Sequence, residues 1–445
     1  MDNSNYSKKL KAALKKKDIV PGCAVFVNGK KGVIMPKAGG DCDCLVLKLK
    51  SGYNIGIRYD KNVKIEKLGE PVKITKLPKM EFDSSKPRIS IIAIGGTISS
   101  KIDYKTGGVT TLLNPEELLC QVPELKKIVN VVKVVVPFTR MGESVNYQDW
   151  QVLAKEVEKR LKDGDVGVII TQGTDSLHYT AAALSFMLPN VGKPVVVVGS
   201  QRSTDRGSSD GAMNLICAAH LIAKANDLGV RGVGTCLHGS MSDDYCLFIR
   251  GTRVRKLHSS RRDAFRSVNS KPVAKITQKG EIEVYEKSGD DYKILSDTKY
   301  DPKVALIKFT PGADPDIINY YVKKGYKGIV IEALGLGQVS VENWVRNKKD
   351  AWVPVIDKAV KKGVAVCFAC QTVYGRVNPY TYSEARQAKK SGVIFLRDML
   401  SEVALVKLSW VLGHTKDLKK VEELMRTDLA GEITKGRTEI DTFLI

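Results

Sequence analysis

Long apolar runs are missing from this sequence. No stretch of about 18 consecutive apolar residues occurs among the 445 residues, so a membrane-spanning helix is not expected. The segment from Met1 to Lys17 is polar and then rich in lysine, and it lacks the apolar core of a signal peptide. A cytoplasmic location without membrane contact is therefore the expectation.

Histidine is scarce and cysteine is odd in number. The five histidines are dispersed, and several of the nine cysteines lie inside apolar runs, as Cys217 does in LICAAHLIA. This pattern is typical of buried free thiols and not of a disulfide framework. The close pairs Cys42/Cys44 and Cys367/Cys370 keep a zinc hypothesis open, but no histidine lies near enough to complete four ligands. No metal site is predicted.

Glycine-rich nucleotide motifs are absent too. Neither the G-x-G-x-x-G fingerprint of dinucleotide-binding domains nor a P-loop occurs in the sequence. No cofactor is therefore predicted in this chain.

Positive charge, in contrast, is abundant. The net charge is +22, and residues 1–80 hold 18 Lys and Arg against 7 Asp and Glu. Such a balance favours nucleic acid or phosphate partners, although a solvated lysine-rich surface explains it equally well. The same choice, RNA contact or pairing with acids beside an active site, applies to a second basic cluster: Arg250, Arg253, Arg255, Lys256, Arg261, Arg262 and Arg266.

The first 75 residues predict a small basic β-barrel domain. A short basic helix within residues 1–17 is followed by five short strand-forming runs between Val20 and Ile74. Asn28-Gly29, between two of these runs, is a strong hairpin signal. Five short strands in so few residues are typical of an SH3-like barrel. Residues 76–87, with two prolines and mixed charge, are predicted to be a linker.

From Arg88 onward apolar strands alternate with amphipathic helices. This pattern is typical of a parallel sheet with helices on both faces. A polar stretch at 282–300 separates two such series. The sequence therefore predicts two α/β domains, at 88–285 and 300–415, and a charged helical tail at 416–445.

The carboxyl ends of the strands are the expected place for reactive side chains in an open parallel sheet. One strand runs into Gly95-Gly96-Thr97 and a later one into Thr174-Asp175. A threonine hydroxyl is a weak nucleophile that needs a base. A carboxylate with a buried lysine could supply one, because burial makes an ammonium easier to deprotonate. Taken alone, a Gly-Gly-Thr turn is most often only a tight strand-to-helix connection, and a Thr-Asp pair is a common helix N-cap.

Two segments in order resemble the signatures of bacterial-type L-asparaginases. They are IIAIGGTISS (91–100) and TQGTDSLHYTAAAL (171–184), and PVVVVGSQRSTDRGSSDGAMNL (194–215) is similar to the segment that follows them in that family. The resemblance extends from about residue 88 to residue 414. It implies an α/β, two-domain asparaginase-like parallel-sheet fold, preceded here by the small SH3-like β-barrel.

Within that family the sequence is most similar to the D subunits of archaeal glutamyl-tRNA(Gln) amidotransferases. The preceding small barrel, the run YGRVNPYTYSEARQAKKSGVI (374–394) with DMLSEVALVKLSWVLG (398–413), and the tail LMRTDLAGEIT (424–434) carry this resemblance. It implies a glutaminase-type subunit of a tRNA-dependent amidotransferase, a carbon–nitrogen ligase of protein biosynthesis. Such a subunit hydrolyses glutamine and delivers ammonia to a partner.

The resemblance also implies catalytic roles residue by residue. Thr97 is expected to be the nucleophile, and Thr174 and Asp175 match the second threonine and its carboxylate. Lys256, in GTRVRKLHSS, is expected to be the lysine of a Thr–Lys–Asp relay. These four residues form the predicted catalytic set.

A lid and a substrate-binding set are implied as well. Tyr104, in DYKTGGV, is expected on a flexible lid that excludes bulk water from an acyl-enzyme. Gly96, Gly173 and Glu143 are expected to bind substrate. Free asparaginases hold the substrate α-carboxylate with a serine, and Gly142 stands at the matching position here, so backbone N–H groups would have to replace that contact.

Another residue near these turns is His178, one turn into the helix after Asp175. We expect it to pack or to support its neighbours and not to act as a base.

The implied partners are the E subunit of the amidotransferase, tRNA(Gln) through the complex, and glutamine as amide donor. ATP and magnesium are expected on the partner, which converts Glu-tRNA(Gln) to Gln-tRNA(Gln), and a homodimer core of a heterotetramer is expected. One alternative is a free cytosolic L-asparaginase or glutaminase with an N-terminal extension. Another is an amidase fold that serves as a scaffold or RNA-binding module, which the intact set of Thr97, Thr174 and Asp175 disfavours.

Overall fold

The computed structural model describes residues 6–35, 41–49, 54–71, 82–95, 100–102, 109–111, 122–202, 209–289 and 292–436. Over these ranges, no helix combines the length and the apolar character that crossing a membrane requires.

The N-terminal unit is a five-stranded antiparallel sheet packed against one helix. Its elements are α1 (Lys8–Lys15), β1 (Cys23–Val27), β2 (Lys30–Ile34), β3 (Cys44–Leu49), β4 (Asn54–Arg58) and β5 (Ile65–Pro71). The sheet order is β4-β3-β2-β1-β5. Helix α1 buries Leu10 and Leu14 in the core of this unit, because they are one turn apart and share a face. The predicted small β domain is confirmed.

The larger α/β unit is built on an eight-stranded sheet in the order β17-β16-β13-β12-β11-β10-β6-β9. Strands β9, β6, β10, β11 and β12 run parallel, and β13, β16 and β17 add an antiparallel edge. Two short ribbons, β7 with β8 and β14 with β15, lie outside it. The strands are β6 (Arg88–Ala93), β7 (Ser100–Ile102), β8 (Val109–Thr111), β9 (Asn130–Val135), β10 (Gly167–Thr171), β11 (Pro194–Val198), β12 (Gly232–His238), β13 (Cys246–Arg250), β14 (Val254–Lys256), β15 (Phe265–Ser267), β16 (Ala274–Ile276) and β17 (Ile282–Val284).

Helices cover both faces of this sheet. They are α2 (Leu125–Ile128), α3 (Tyr147–Lys162), α4 (Leu177–Met187) and α5 (Gly211–Leu228). Val168 and Ile170 of β10 share a core with α3 and α4, whereas Ile169 between them shares a core with α2 and α5. Because successive side chains of a strand alternate between faces, a strand covered on both sides is apolar throughout.

The smaller α/β unit has four parallel strands in the order β18-β19-β20-β21. Its elements are β18 (Val304–Lys308), α6 (Asp316–Lys323), β19 (Gly328–Ala333), α7 (Trp352–Lys361), β20 (Ala365–Cys370), α8 (Ser383–Lys390), β21 (Ile394–Phe395) and α9 (Ser401–His414). Helix α9 packs against α4 of the larger unit, so one apolar core spans the two units. The predicted two-domain α/β architecture is confirmed.

The C-terminal tail is only partly helical. Helix α10 covers Leu418–Arg426, whereas the predicted helix extended through 416–445. Residues 427–436 are not helical, and residues 437–445 lie outside the described ranges. At the end of the helix the Lys407 ammonium donates to the carbonyl oxygens of Met425 and Thr427 at 3.3 and 2.6 Å, and the chain then turns toward the larger unit.

Candidate active site

Two strand exits lie side by side at one edge of the large sheet. Strands β6 and β10 pair in parallel with Ala93 opposite Thr171, and the Ile94 N–H donates to the Thr171 carbonyl at 3.1 Å. Gly95 follows with φ of +122°, and a Cβ there would lie 2.3 Å from the Arg140 carbonyl oxygen. Only glycine fits such a turn. The chain bearing Thr97 therefore starts beside the turn bearing Thr174.

The expected nucleophile and lid residue fall outside the described ranges. These are Thr97 and Gly96 of the first turn and Tyr104 of the predicted lid. The strands on either side of the predicted lid are described: β7 and β8 pair antiparallel, with Ser100 opposite Thr111.

Three predicted catalytic side chains meet at the exit of β10. Lys256 Nζ, at the end of β14, donates to Thr174 Oγ1 at 2.9 Å and to Asp175 Oδ1 at 2.7 Å. The Lys256 side chain is 10% exposed, whereas that of Asp175 is 72% exposed. A lysine nitrogen bonded at once to a hydroxyl and a carboxylate can exchange a proton with that hydroxyl, and the carboxylate stabilises the positive charge of the ammonium form.

The neighbouring strand exit supports the position of Thr174. Gly199 follows β11, and a Cβ there would lie 2.9 Å from the Thr174 methyl group, so glycine lets the two turns approach. Gln201 lies 3.5 Å from the Thr174 hydroxyl through its Oε1. Asp210 fixes this exit, because its carboxylate accepts the N–H groups of Gln201 and Arg202 at 3.0 and 2.9 Å.

A third turn completes the described wall of the site. Gly142 is buried in a short 3-10 turn against Gly173, and the Ser176 hydroxyl donates to its carbonyl oxygen. A Cβ on Gly142 would meet Gly173 and the Asp175 nitrogen at 3.5 and 3.6 Å, which are ordinary contacts. A serine would therefore fit, and glycine at this position is not dictated by space. The next residue, Glu143, is exposed.

His178 packs against aromatic side chains near the strand that carries Lys256. Its ring centroid lies 4.6 Å from that of Tyr179 and 6.5 Å from that of Phe265, which pairs with Lys256 across β14 and β15. Burial, with the nearby charges of Arg255 and Lys256, lowers the pKa of His178 from 6.5 to about 4. The side chain is therefore neutral near pH 7, and its contacts favour the packing role.

The arginines around Lys256 are all engaged by acids. Arg253 pairs with Asp398 at 3.0 Å and Arg255 with Glu402 at 3.2 Å, both from the smaller unit. Each of the others contacts a carboxylate as well: Arg250 with Glu286, Arg261 and Arg266 with Asp263, and Arg262 with Asp243. These pairs favour the structural interpretation of the cluster over RNA contact.

The cysteine pairs are not organised as a metal centre in the described part of the chain. Cys367 and Cys370 are buried in β20, where burial raises the pKa of the Cys367 thiol. Three potential metal ligands, Asp41, Cys42 and Asp43, lie close together, but Cys44 is not one of them. Exposed acids of this kind are common without an ion.

Some residues of the site were not predicted as site residues. Gln201 follows a predicted strand. The rule that ligands bind at the carboxyl ends of parallel strands would therefore have identified it. Asp398 and Glu402 bind the arginines next to Lys256. The sequence around them gave no sign of this, because they lie 145 and 147 residues away from their arginine partners.

Comparison with known proteins places the two α/β units in one class. Residues 88–289 match the asparaginase N-terminal family and residues 303–425 the glutaminase/asparaginase C-terminal domain. The structure is similar to the thermostable L-asparaginase from Thermococcus kodakarensis, with a TM-score of 0.66 and 30% identity, covering 78% of this chain and 100% of that one. The class is therefore that of asparaginase-like proteins.

The N-terminal unit and full-length relatives narrow this class. Residues 28–68 match the GatD N-terminal domain. The chain is 48% identical over 428 residues to the D subunit of the glutamyl-tRNA(Gln) amidotransferase from Pyrococcus abyssi, covering 93% of each. It is 44% identical to that of Methanopyrus kandleri, covering 92% of this chain and 89% of the relative. The chain belongs to the family of glutamyl-tRNA(Gln) amidotransferase D subunits.

Proposed function

We propose that the chain is the glutaminase subunit of a tRNA-dependent amidotransferase. It hydrolyses the side-chain amide of glutamine and passes the ammonia to a partner subunit. One observation supports this most directly: Lys256 Nζ bonds both Thr174 Oγ1 and Asp175 Oδ1, which lie 82 and 81 residues away in sequence. Three such groups converge at a strand exit, where chemistry is expected in this kind of sheet.

Thr97 acts as the nucleophile in this proposal. Its hydroxyl attacks the side-chain carbonyl carbon of glutamine, and backbone N–H groups of the glycine-containing turns stabilise the oxyanion. Gly96 and Gly173 let the substrate approach the backbone closely. The carbon–nitrogen bond breaks, the nitrogen takes up a proton, and ammonia leaves a glutamyl ester on Thr97. Water hydrolyses the ester to glutamate.

Proton transfer falls to Thr174, Lys256 and Asp175. Lys256 acts here in its amine form. Thr174 takes the proton of the attacking hydroxyl, of Thr97 in the first step and of water in the second, while its own proton moves to Lys256. In the first step Lys256 returns this proton through Thr174 to the departing nitrogen, and in the second step to the Thr97 oxygen. Asp175 stabilises the ammonium that forms. Tyr104 on the lid excludes bulk water during these steps. Glu143, beside Gly142, contributes to substrate binding.

The partner supplies the second half of the reaction. An E subunit activates glutamyl-tRNA(Gln) with ATP and magnesium, and the ammonia converts it to glutaminyl-tRNA(Gln). The assembly is a homodimer of this chain carrying two E subunits, and it works in the cytoplasm. The N-terminal match supports this assignment over a free asparaginase, because the T. kodakarensis asparaginase is covered completely by 78% of this chain.

The two activities can be separated in the assembled enzyme. We expect Thr97→Ala to abolish glutamine-dependent ammonia release and glutamine-dependent amidation of glutamyl-tRNA(Gln). Amidation supplied with ammonium chloride should persist, because that step belongs to the partner. Unchanged glutamine hydrolysis in Thr97→Ala would refute the assignment of Thr97 as the nucleophile. Robust asparagine hydrolysis by the chain without partner or tRNA would instead favour a free asparaginase.

Gly142 offers a test of substrate binding. Because a Cβ fits there at 3.5 Å, Gly142→Ser should fold normally and return a hydroxyl to the expected α-carboxylate site. We expect the KM for glutamine to fall by about tenfold or more, since one hydrogen bond to a charged group contributes roughly 1.5 kcal/mol or more. Gly142→Ala, which adds the Cβ without the hydroxyl, is the matched control. An equal KM in the two variants would mean that the α-carboxylate of the substrate does not bind at position 142.

A further inference from the structure

The strand that carries the catalytic lysine is short and held mainly from outside the large sheet. Strand β14 has three residues, Val254–Lys256, and pairs only with the equally short β15 among the described strands. Arg253 precedes it, with a side chain 4% exposed, and donates from Nη1 to Asp398 Oδ2 at 3.0 Å. The position of Lys256 therefore depends on what holds Arg253.

The C-terminal segment, defined here as residues 428–434, supplies the other contacts of this anchor. Arg253 Nε donates to the Gly431 carbonyl at 2.8 Å, and its Nη2 donates to Thr434 Oγ1 at 3.0 Å. The Thr252 hydroxyl donates to the Ala430 carbonyl at 2.9 Å. The Thr434 N–H donates to Asp398 Oδ1 at 3.1 Å, and its hydroxyl donates to Asp398 Oδ2. Thr434 thus bonds both partners of the Arg253–Asp398 pair.

A buried charge pair fixes the path of the C-terminal segment. Lys407 of α9 and Glu432 form an ion pair in which both side chains are fully buried. Glu432 also accepts the N–H groups of Leu429 and Ala430, at 3.1 and 2.7 Å. Breaking a buried ion pair on one side is strongly destabilising, so loss of either partner would be costly. The C-terminal segment is therefore attached to α9 of the smaller unit as well as to Arg253.

We propose that the C-terminal segment positions the catalytic lysine, with Arg253, Asp398 and Thr434 as positioning residues. This inference rests on the proposed function, because it takes Lys256 as part of the proton relay. Lys256 Nζ has to bond Thr174 and Asp175 at once, so its strand tolerates little displacement. Misplacement of a catalytic group by about 1 Å can cost roughly a hundredfold in rate.

Thr434→Val is the sharpest test, because valine keeps the shape and removes the hydroxyl. In the assembled enzyme with tRNA, we expect the kcat for glutamine hydrolysis to fall about tenfold, with KM changed less than about twofold. Thr434→Ser should restore kcat, because it restores the hydroxyl. The matched control is Thr427→Val in the same tail: its hydroxyl bonds only the Glu423 carbonyl in the described structure, at 2.8 Å, and kcat should stay unchanged.

Arg253→Lys provides a second variant that keeps the buried charge. A lysine has a single nitrogen and cannot bond Asp398, Gly431 and Thr434 in the planar geometry of a guanidinium, so kcat should again fall with KM preserved. Unchanged kcat in both variants, an effect on KM alone, or equal loss in Thr434→Val and Thr427→Val would overturn the inference.

The test also separates this inference from the proposed function. If Lys256→Met abolishes glutamine hydrolysis and Thr434→Val leaves it intact, only the inference fails. If Lys256→Met leaves hydrolysis intact, the relay itself is wrong, and the inference falls with it.

Discussion

Two regions of the chain are strongly basic, and they hold their cations in opposite ways. In residues 250–266, each of the seven Lys and Arg side chains contacts a carboxylate, and the acids come from several distant segments. In the N-terminal unit, Lys8, Lys15 and Lys16 are exposed on and just beyond α1, and Lys67 pairs with Asp18, whose side chain is 92% exposed.

This difference shows that a surplus of positive charge has two physical meanings. Around Lys256 each cation has a fixed carboxylate partner, and the most buried of these pairs, Arg253 with Asp398, lies where electrostatic interactions are strong. On α1 the cations contribute mainly to the long-range field, which draws anions toward the surface without fixing a geometry. Composition alone does not separate the two cases, whereas burial and pairing do.

The largest effect is expected from replacing Lys256, which tests whether the paired cations of residues 250–266 include a catalytic group. Lys256→Met removes the only described amine that reaches both Thr174 and Asp175, and we expect the kcat for glutamine hydrolysis to fall roughly 10³-fold, within the range for loss of an acid–base group. Steady-state kinetics of ammonia release by the assembled enzyme measures it.

Lys67→Met in the N-terminal unit is the matched control for that prediction. Lys67 also pairs with carboxylates, those of Asp18 and Glu70, but at the surface. We expect unchanged kcat and a melting temperature close to that of the parent. Retained hydrolysis in Lys256→Met would mean that Lys256 is not needed for catalysis, although it has fixed partners.

A smaller effect is expected at Asp263, where one buried carboxylate serves two arginines. Asp263→Asn should lower the free energy of unfolding by about 1.5–3 kcal/mol, because hydrogen bonds to charged groups are lost from Arg261 and Arg266. Denaturant titration at pH 7 measures the loss. Asp18→Asn, at the exposed pair with Lys67, should leave the transition midpoint unmoved.

The pH dependence of the Asp263 effect has a definite sign. Hydrogen bonding to Arg261, opposed by burial, lowers the pKa of Asp263 below its ordinary 3.8. A carboxyl whose pKa is lowered on folding stabilises the protein above its unfolded pKa, and the contribution disappears as the pH falls through the folded value. The parent and Asp263→Asn should therefore converge in stability below about pH 4, and a constant difference down to pH 2 would contradict this explanation.

Local periodicity made the strands and their exits predictable. Val168, Ile169 and Ile170 are all apolar because both faces of β10 are covered, and the turn after that strand was a natural place for Thr174 and Asp175. These features depend on a few neighbouring residues. Gly95 and Gly199 are different, because each lies where a turn distant in sequence, at Arg140 and at Thr174, approaches too closely for a side chain.

The parts that escaped prediction depend on distant contacts. Nothing near Arg253 indicates that its guanidinium reaches Thr434, 181 residues away. The tail was predicted to be helical throughout on the basis of its charge. Beyond Arg426 it is not helical, and Glu432 there pairs with the buried Lys407, a contact across 25 residues. Such pairings are set by the assembled core and not by local propensity.

The smallest expected effect lies at the exposed lysines of α1. Replacing Lys8, Lys15 and Lys16 together by Gln keeps helix propensity nearly constant, and we expect no measurable change in unfolding or in kcat at saturating tRNA. Association of tRNA with the assembled enzyme should slow, and its salt dependence should become shallower, because the field of this face is weakened. Stopped-flow measurements at about 50 and about 200 mM salt give the association rate and its salt dependence, because phosphate contacts weaken over this range. A triple variant with a lower melting temperature would instead mean that these lysines, like the arginines around Lys256, hold fixed partners.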